Sequence, residues 1–227
     1  MVTEETPSWT TLILPAEAPE ALEEALAWLR RGEVVAFPTD TVYGLGVRMD
    51  DEAAVERLYR VKGRPSERAL PLLLAEAADM ERVCPEVPAG AWRLAERFWP
   101  GPLTLVLRKR PEVLDRVTGG RPTVAVRLPD HPLPRNLARG LGWPLASSSA
   151  NRSGRPSPAT AEEVRAQLGG RLPLILDGGR CPLARPSTLL DLTAEPPRIL
   201  RAGPISADEI AAILGREVME TSGGQDG

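Results

Sequence analysis

The chain reads as a single α/β domain. Three observations predict it: segments with apolar residues at helical spacing alternate with short apolar runs bounded by Gly and Pro; no repeat or long linker separates them; and 227 residues, 42% apolar and 26% charged, suffice for one buried core. Residues 1–18 carry no pattern and form an N-terminal segment, 19–215 form the domain, and 216–227, closing on Thr-Ser-Gly-Gly-Gln-Asp-Gly, are expected to be a disordered tail.

Residues 19–31 place Ala21, Leu22, Ala25, Leu26 and Leu29 on one helical stripe, ended by Gly32. Val34-Val35-Ala36-Phe37 is a buried strand stopped by Pro38, and Thr39-Asp40-Thr41-Val42-Tyr43-Gly44-Leu45-Gly46 empties into hydroxyls and glycines. Ligands gather where strand ends meet loops in open α/β sheets, so this is either a binding loop or a hydroxyl-rich turn around a buried tyrosine. Tyr43 is one of only two tyrosines, which favours its use as a ring platform or hydroxyl donor.

A helix over 51–61, capped by Asp50 or Asp51, runs into Lys62-Gly63-Arg64-Pro65-Ser66-Glu67-Arg68. Three cations within seven residues, with a Gly to free the backbone and a Pro to forbid more helix, make a positive prong suited to a polyphosphate, or else a solvated charge cluster at a helix end. Lys62 and Lys109 are the only lysines among 28 basic residues, and that scarcity favours a function for Lys62.

Residues 70–75 are an apolar strand candidate interrupted by Pro71. A helix over 89–99 meets the hard stop Pro100-Gly101-Pro102, followed by a strand at 103–107 and a loop at 112–120. Thr123-Val124-Ala125-Val126-Arg127 alternates, so Thr123 and Arg127 share a face; Arg127 is either an edge-strand charge or a carboxylate clamp. A helix at 131–140 has His131 at its entry. The helix at 160–168 carries a Thr160/Glu163 capping box, strands follow at 172–176, 187–192 and 198–201, and a helix at 206–214 carries a second box, Ser206/Glu209.

The stretch that organises the chain is 144–158. An apolar run at 143–146 breaks into Ser147-Ser148-Ser149-Ala150-Asn151 and then into Gly and Pro. Hydroxyls and amides this dense suit phosphate oxygens, a carboxylate, or the waters of a hard cation such as magnesium. The chain has only two asparagines, Asn136 and Asn151, so amides are not scattered through its loops.

Several classes are poor fits. A net charge of −3 does not suit a basic nucleic-acid binder. No window approaches the roughly 18 apolar residues of a membrane helix, and the acidic stretch 1–7 lacks a signal-peptide core, so the expected compartment is the cytoplasm. Cys84 and Cys181 lack zinc or redox spacing and read as small semi-buried residues. With His131 the single histidine, triads and histidine-bound metals are poor guesses. Neither standard nucleotide-loop motif is present.

Taken together, Pro38-Thr39-Asp40-Thr41-Val42-Tyr43-Gly44-Leu45, Lys62-Gly63-Arg64-Pro65, Trp99-Pro100-Gly101-Pro102-Leu103-Thr104, Ala125-Val126-Arg127, the stretch 147–151 with Ser153-Gly154, and Pro186-Ser187-Thr188 resemble the YrdC/Sua5 family from about residue 32 to 201. The resemblance implies a twisted mixed α/β sheet with flanking helices around a large, open, positively charged cavity. It implies L-threonylcarbamoyladenylate synthesis: L-threonine, bicarbonate or CO2, and ATP condense to threonylcarbamoyl-AMP and pyrophosphate, the first step of threonylcarbamoyl modification at adenosine 37 of tRNA. Magnesium would accompany ATP, a tRNA threonylcarbamoyl-transferase complex would act downstream, RNA contact is a further expectation, and no membrane is involved.

By the same resemblance, Lys62 and Arg64 carry the catalysis by facing the nucleotide phosphates. Arg64, Arg68, Thr123, Ser149, Asn151, Ser157 and Arg201 bind the nucleotide, while Thr41, Arg127, Ser147 and Ser187 bind threonine; metal ligands stay unassigned. Arg68-Ala69-Leu70 stands where many relatives show Asn-Pro-Leu, and Leu73 where some have a threonine-contacting His. The chain resembles the short form without the extra C-terminal domain. Two other readings remain: an RNA-binding module built on the same cavity, and a paralogue acting on another carbamoyl-type substrate.

Overall fold

The computed structural model describes residues 9–221. In chain order the elements are β1 (Leu12–Pro15), α1 (Ala21–Arg30), β2 (Val35–Phe37), β3 (Gly44–Arg48), α2 (Glu52–Lys62), β4 (Leu72–Leu73), α3 (Met80–Val83), α4 (Ala89–Phe98), β5 (Leu103–Arg108), α5 (Asp115–Thr118), β6 (Thr123–Arg127), α6 (Pro132–Leu141), β7 (Leu145–Ser149), α7 (Ala161–Leu168), β8 (Leu174–Asp177), β9 (Thr188–Asp191), β10 (Arg198–Arg201), α8 (Ala207–Leu214) and β11 (Met219–Glu220). Among the described residues the strands form one mixed sheet in the order β1-β8-β2-β3-β7-β4-β6-β5-β9-β10-β11.

The helices divide unequally between the two faces. Apolar stripes of α2, α3, α4, α5, α7 and α8 join the larger core with Leu45, Leu72, Leu105 and Val126. On the opposite face α1 and α6 bury Leu26, Leu29, Leu133 and Leu137 against Val35, Phe37, Leu73, Leu145 and Leu174. Those two helices pack on β8, β2, β3, β7 and β4. Beyond them the same face continues across β6, β5 and β9, where Thr123, Ala125, Leu189 and Asp191 are half-exposed. That stretch of sheet is the floor of the candidate site.

The differences from the sequence reading have local causes. β3 contains Gly44 and Gly46, which suggest a loop, yet a Cβ on Gly46 would sit 2.6 Å from Phe37 Cε1. The glycines are there because the Phe37 ring lies over the strand. β1 falls in the segment expected to be unpatterned, where Leu12 to Leu14 pair in parallel with Leu174 to Leu176. β11 falls in the expected tail, with Met219 paired to Arg198. Both pairings are long-range and leave no local periodicity. The acidic stretch 1–7 and residues 222–227 lie outside the described residues. The expected loop at 112–120 contains one helical turn, α5, closed by Gly119 in the left-handed region at φ 59°.

The caps follow the sequence closely. Asp51 accepts from the Ala54 amide, the His131 Nδ1 from Leu133, Thr160 from Glu163, and Ser206 shares a complete box with Glu209. In the other expected box the Glu163 carboxylate accepts instead from the Ala159 amide at 2.6 Å, one residue upstream.

Candidate active site

The turn after β7 is held from a distant helix. α2 ends at Gly63, whose φ of 63° suits a residue without Cβ, and this leaves Lys62 on the last helical turn with its side chain directed inward. Its ammonium donates to Ser149 O at 2.7 Å, Ser149 Oγ at 3.3 Å, Asn151 O at 2.9 Å and Asn151 Oδ1 at 2.9 Å. Asn151, itself fully buried, donates through Nδ2 to Arg152 O and Arg155 O, and Ser153 N returns to Lys62 O. Lys62 is 2% exposed, so the expected prong is not a prong. Three ammonium protons facing four oxygens are committed to shaping the turn. Burial, and secondarily the neighbouring Arg64 charge, push Lys62 down to about 7, while the four oxygens favour its charged form.

Arg64 lies beside this turn, donating through Nη1 to Ser148 Oγ at 3.3 Å and through Nη2 to Ala69 O at 3.1 Å. Ser147 is turned away, its hydroxyl donating to Leu45 O in the neighbouring strand at 2.8 Å.

The second half of the site is built on Arg127, at the end of β6. Its Nε donates to Gly101 O at 3.0 Å, Nη1 to Thr41 Oγ1 at 2.8 Å and Nη2 to Asp40 Oδ1 at 2.5 Å. Asp40 Oδ1 also accepts from the Asp130 amide, while Oδ2 is buried with no hydrogen-bond partner. The loop 39–41 is thus docked onto the sheet by a buried guanidinium, with Thr39 Oγ1 3.0 Å from Thr41 Oγ1. Burial lowers Arg127 and Asp40 opposes the shift. A guanidinium stays charged under such pressure, so Arg127 is a fixed cation and not an edge charge.

Next to it stands a chain of hydroxyls and a third guanidinium. Arg201 donates through Nε and Nη2 to Ser187 O at 3.1 and 3.0 Å, and through Nη2 to Ser187 Oγ at 3.1 Å. Ser187 Oγ lies 2.7 Å from Thr104 Oγ1, and both hydroxyls are buried. Burial first, then the charges of Arg127 and Arg64, bring Arg201 down to about 10. Arg201 thus feels the charges of Arg127 and Arg64, and Lys62 feels that of Arg64, so Arg64 is the link between the two halves. Lys62 and Arg201 make no ion pair among the described residues, although Arg127 is paired to Asp40.

The structure therefore brings Thr41, Arg127, Ser187 and Arg201 into one group and Lys62, Arg64, Ser149 and Asn151 into another, with Arg64 joining them. Thr123 lies on the same floor but four residues, about 13 Å, along β6 from Arg127. Ser157 is half-exposed between Pro156 and Pro158. Arg68 is half-buried in the loop after α2, its carbonyl accepting from the Tyr59 hydroxyl at 2.8 Å. Leu73, 4% exposed, belongs to the core beside Leu145.

Tyr43 is not a ring platform. It is fully buried, donates to Gly179 O at 2.8 Å and accepts from Gly178 N, tying β3 to the loop after β8; burial raises its phenol. Lys109 is likewise structural, bonding Val113 O and Asp115 Oδ1. Sequence reasoning missed Asp40 and Thr104 as site residues, though both lie inside motifs it singled out. Thr104 signalled itself as a polar residue inside an apolar strand, whereas Asp40, in the loop between β2 and β3, left no such pattern.

A family model described as "Telomere recombination", covering Sua5, YciO and YrdC proteins, matches residues 27–203. The chain belongs to the Sua5/YciO/YrdC family. It is 46% identical over 195 residues to a threonylcarbamoyl-AMP synthase of Bacillus subtilis and 44% identical over 191 residues to one of Pyrococcus abyssi. These matches cover 86% and 84% of this chain but 56% of each relative, so the chain spans little more than half their length. A Vibrio vulnificus protein of the same name, 40% identical, is covered over 98% of its length and 80% of this chain. Among solved structures, P. abyssi Sua5 complexed with L-threonine superposes with a TM-score of 0.87 at 41% identity, over 92% of this chain and 62% of that one. E. coli YciO superposes with a TM-score of 0.77 at 27% identity, over 90% and 99% respectively. The twisted mixed sheet with flanking helices expected from the sequence is the fold of this family.

Proposed function

We propose that this Sua5/YciO/YrdC-family chain is an L-threonylcarbamoyladenylate synthase. The observation that carries the reading is the meeting of Lys62, Arg64, Arg127 and Arg201 around buried hydroxyls, with Lys62 and Arg201 lacking an ion pair among the described residues. Cations that are buried, and of which two also feel a neighbouring cation, call for anionic ligands. The proposed substrates supply them: a threonine carbamate is a dianion, and ATP brings three phosphates.

In this reading the carbamate oxygen attacks the α-phosphorus, the bond from that phosphorus to the bridging oxygen breaks, and pyrophosphate leaves. Arg127, with Thr41 and Ser187, holds the amino-acid carboxylate through charge-assisted hydrogen bonds. Arg64 and Arg201 offset the charge that grows on the phosphates, and Ser149, Arg68, Thr123 and Ser157 line the nucleotide, whereas Asn151, fully buried with its amide bonded on both sides, shapes the turn and does not touch it. Lys62 acts by fixing the 149–151 turn and by its charge. Ser147 contributes through the strand it anchors.

Among the described residues no group of three or more His, Cys, Asp or Glu side chains is arranged to hold a metal ion, so magnesium belongs to the proposal only as the counter-ion that ATP carries in. The product is a reactive mixed anhydride that a tRNA threonylcarbamoyl-transferase complex would consume. We place the reaction in the cytoplasm; no helix among the described residues is long and apolar enough to cross a membrane. Direct RNA contact is a separate proposal, tested by salt-dependent binding.

The deciding experiment is incubation of the purified protein with L-threonine, bicarbonate, ATP and magnesium. Pyrophosphate release that depends on threonine, with the mass of threonylcarbamoyl-AMP in the mixture, is expected. Release that ignores threonine would overturn the reading.

A further inference from the structure

Thr104, on β5, is assigned no part in the chemistry above, yet it faces the floor of the site. Leu105 is paired with Val126 and both point into the larger core, so Thr104 stands on the opposite face, beside Arg127 across the antiparallel ladder. On its other side Thr104 is in register with Leu189 of β9, and Leu189 is in register with Arg201 of β10. The Thr104 hydroxyl therefore lies between two guanidiniums, one row of the sheet deep.

The hydrogen bonds of this row leave one proton over. Ser187 Oγ accepts from Arg201 Nη2 at 3.1 Å and shares a 2.7 Å contact with Thr104 Oγ1. If Thr104 donates to Ser187, the serine proton has no protein acceptor; if Ser187 donates, the threonine proton has none. Among the described residues neither hydroxyl meets a second acceptor, and the two residues are only 3% and 4% exposed. A buried hydroxyl proton without an acceptor, placed between two cations, is complementary to an anionic oxygen.

We infer that Thr104 is a positioning residue of the amino-acid subsite. It locks the Ser187 hydroxyl so that the pair presents a single O–H donor to one oxygen of the substrate carboxylate lying between Arg127 and Arg201. The inference rests on the synthase reading and deepens it: the amino-acid side of the reaction, not the nucleotide side, depends on Thr104.

The test compares the wild-type chain with Thr104→Val, which keeps the shape and removes the hydroxyl, and Thr104→Ser, which restores it. Initial rates of pyrophosphate release give KM separately for L-threonine and ATP, and calorimetry gives L-threonine binding. The valine variant should raise KM for L-threonine roughly tenfold, the value of one buried hydrogen bond. Its KM for ATP should stay close to wild type, its melting temperature should fall by only about 2–4 °C for the one buried hydrogen bond lost, and the serine variant should recover most of both losses. An unchanged KM for L-threonine, an equal rise for ATP, or no recovery with serine would overturn the role of Thr104 while leaving the synthase reading intact. A wild type that neither binds L-threonine nor releases pyrophosphate would overturn both.

Discussion

Replacing Lys62 by methionine removes the ammonium and keeps a stem of similar reach, and two opposing effects decide the outcome. Burial and Arg64 lower Lys62 from 10.5 to about 7, roughly 5 kcal/mol at about 1.36 kcal/mol per unit, and methionine relieves that cost. Against this, Ser149 O, Asn151 O and Asn151 Oδ1 lose a charged donor, at about 1–3 kcal/mol each. The two nearly cancel, so the variant should stay folded, no more than about 4 kcal/mol less stable, while the turn it no longer holds costs at least roughly a hundredfold in kcat/KM. Urea unfolding at two pH values isolates the charge. Because the native lysine titrates below the unfolded one, the unfolded chain keeps a proton that the native chain has lost between about pH 7 and 10.5. Wild-type stability relative to the methionine variant should therefore rise with pH, by about 2 kcal/mol from pH 7 to 9. A flat difference would mean that the four oxygens hold the ammonium charged throughout and would refute the burial argument. A variant unfolded at room temperature would refute the cancellation.

Arg127→Lys should lower stability by about 3 kcal/mol, because one ammonium cannot replace a fork that spans Gly101, Thr41 and Asp40, and Asp40 already has a buried oxygen without a partner. Its KM for L-threonine should rise more than its KM for ATP; thermal unfolding and initial rates check both. Tyr43→Phe should cost about 1–2 kcal/mol through the lost bond to Gly179 O with no change in rate, and a large loss of activity would return Tyr43 to the substrate site. Cys84 and Cys181 are buried with raised thiols, Cys84 up to about 12, so iodoacetamide at pH 8 should label neither in the native protein and both after denaturation, as read by intact mass.

How much was legible in the sequence depended on the range of the interaction. The longer helices declared themselves through local periodicity and through caps such as Asp51 and Ser206, whose partners lie three residues away, while the single turns α3 and α5 did not. Strands with several consecutive β-formers, such as Leu103–Arg108, were equally plain. β3 was hidden because Gly44 and Gly46 answer to Phe37 on another strand, and β11 because two residues pair with β10 and carry no pattern. The site divides in the same way. That Lys62 and Asn151 belong together could be expected from the rarity of their residue types, but the direction of the lysine could not. Whether an ammonium at a helix end faces solvent or the turn is set by Gly63 and by the approach of β7, which is tertiary information. Tyr43 shows the converse error, since rarity suggested use where burial explains the residue fully.

The arrangement of charge explains why these polar residues are buried at all. Arg201, lowered to about 10 by burial and by two like charges, costs the fold stability, and the one carboxylate paired with Arg127 has an oxygen that is itself without a partner. Evolution for stability alone would replace such groups with apolar residues of the same volume, often at no loss. In the synthase reading the energy they cost is restored when anions bind. The groups are then already oriented, and charge that develops at phosphorus meets donors that need not reorganise. The same logic places the strain where it does least harm. The six helices of the opposite face hold the larger core together, and Arg127 and Arg201 stand on the uncovered end of the sheet, while Lys62 reaches the turn after β7 from the end of α2.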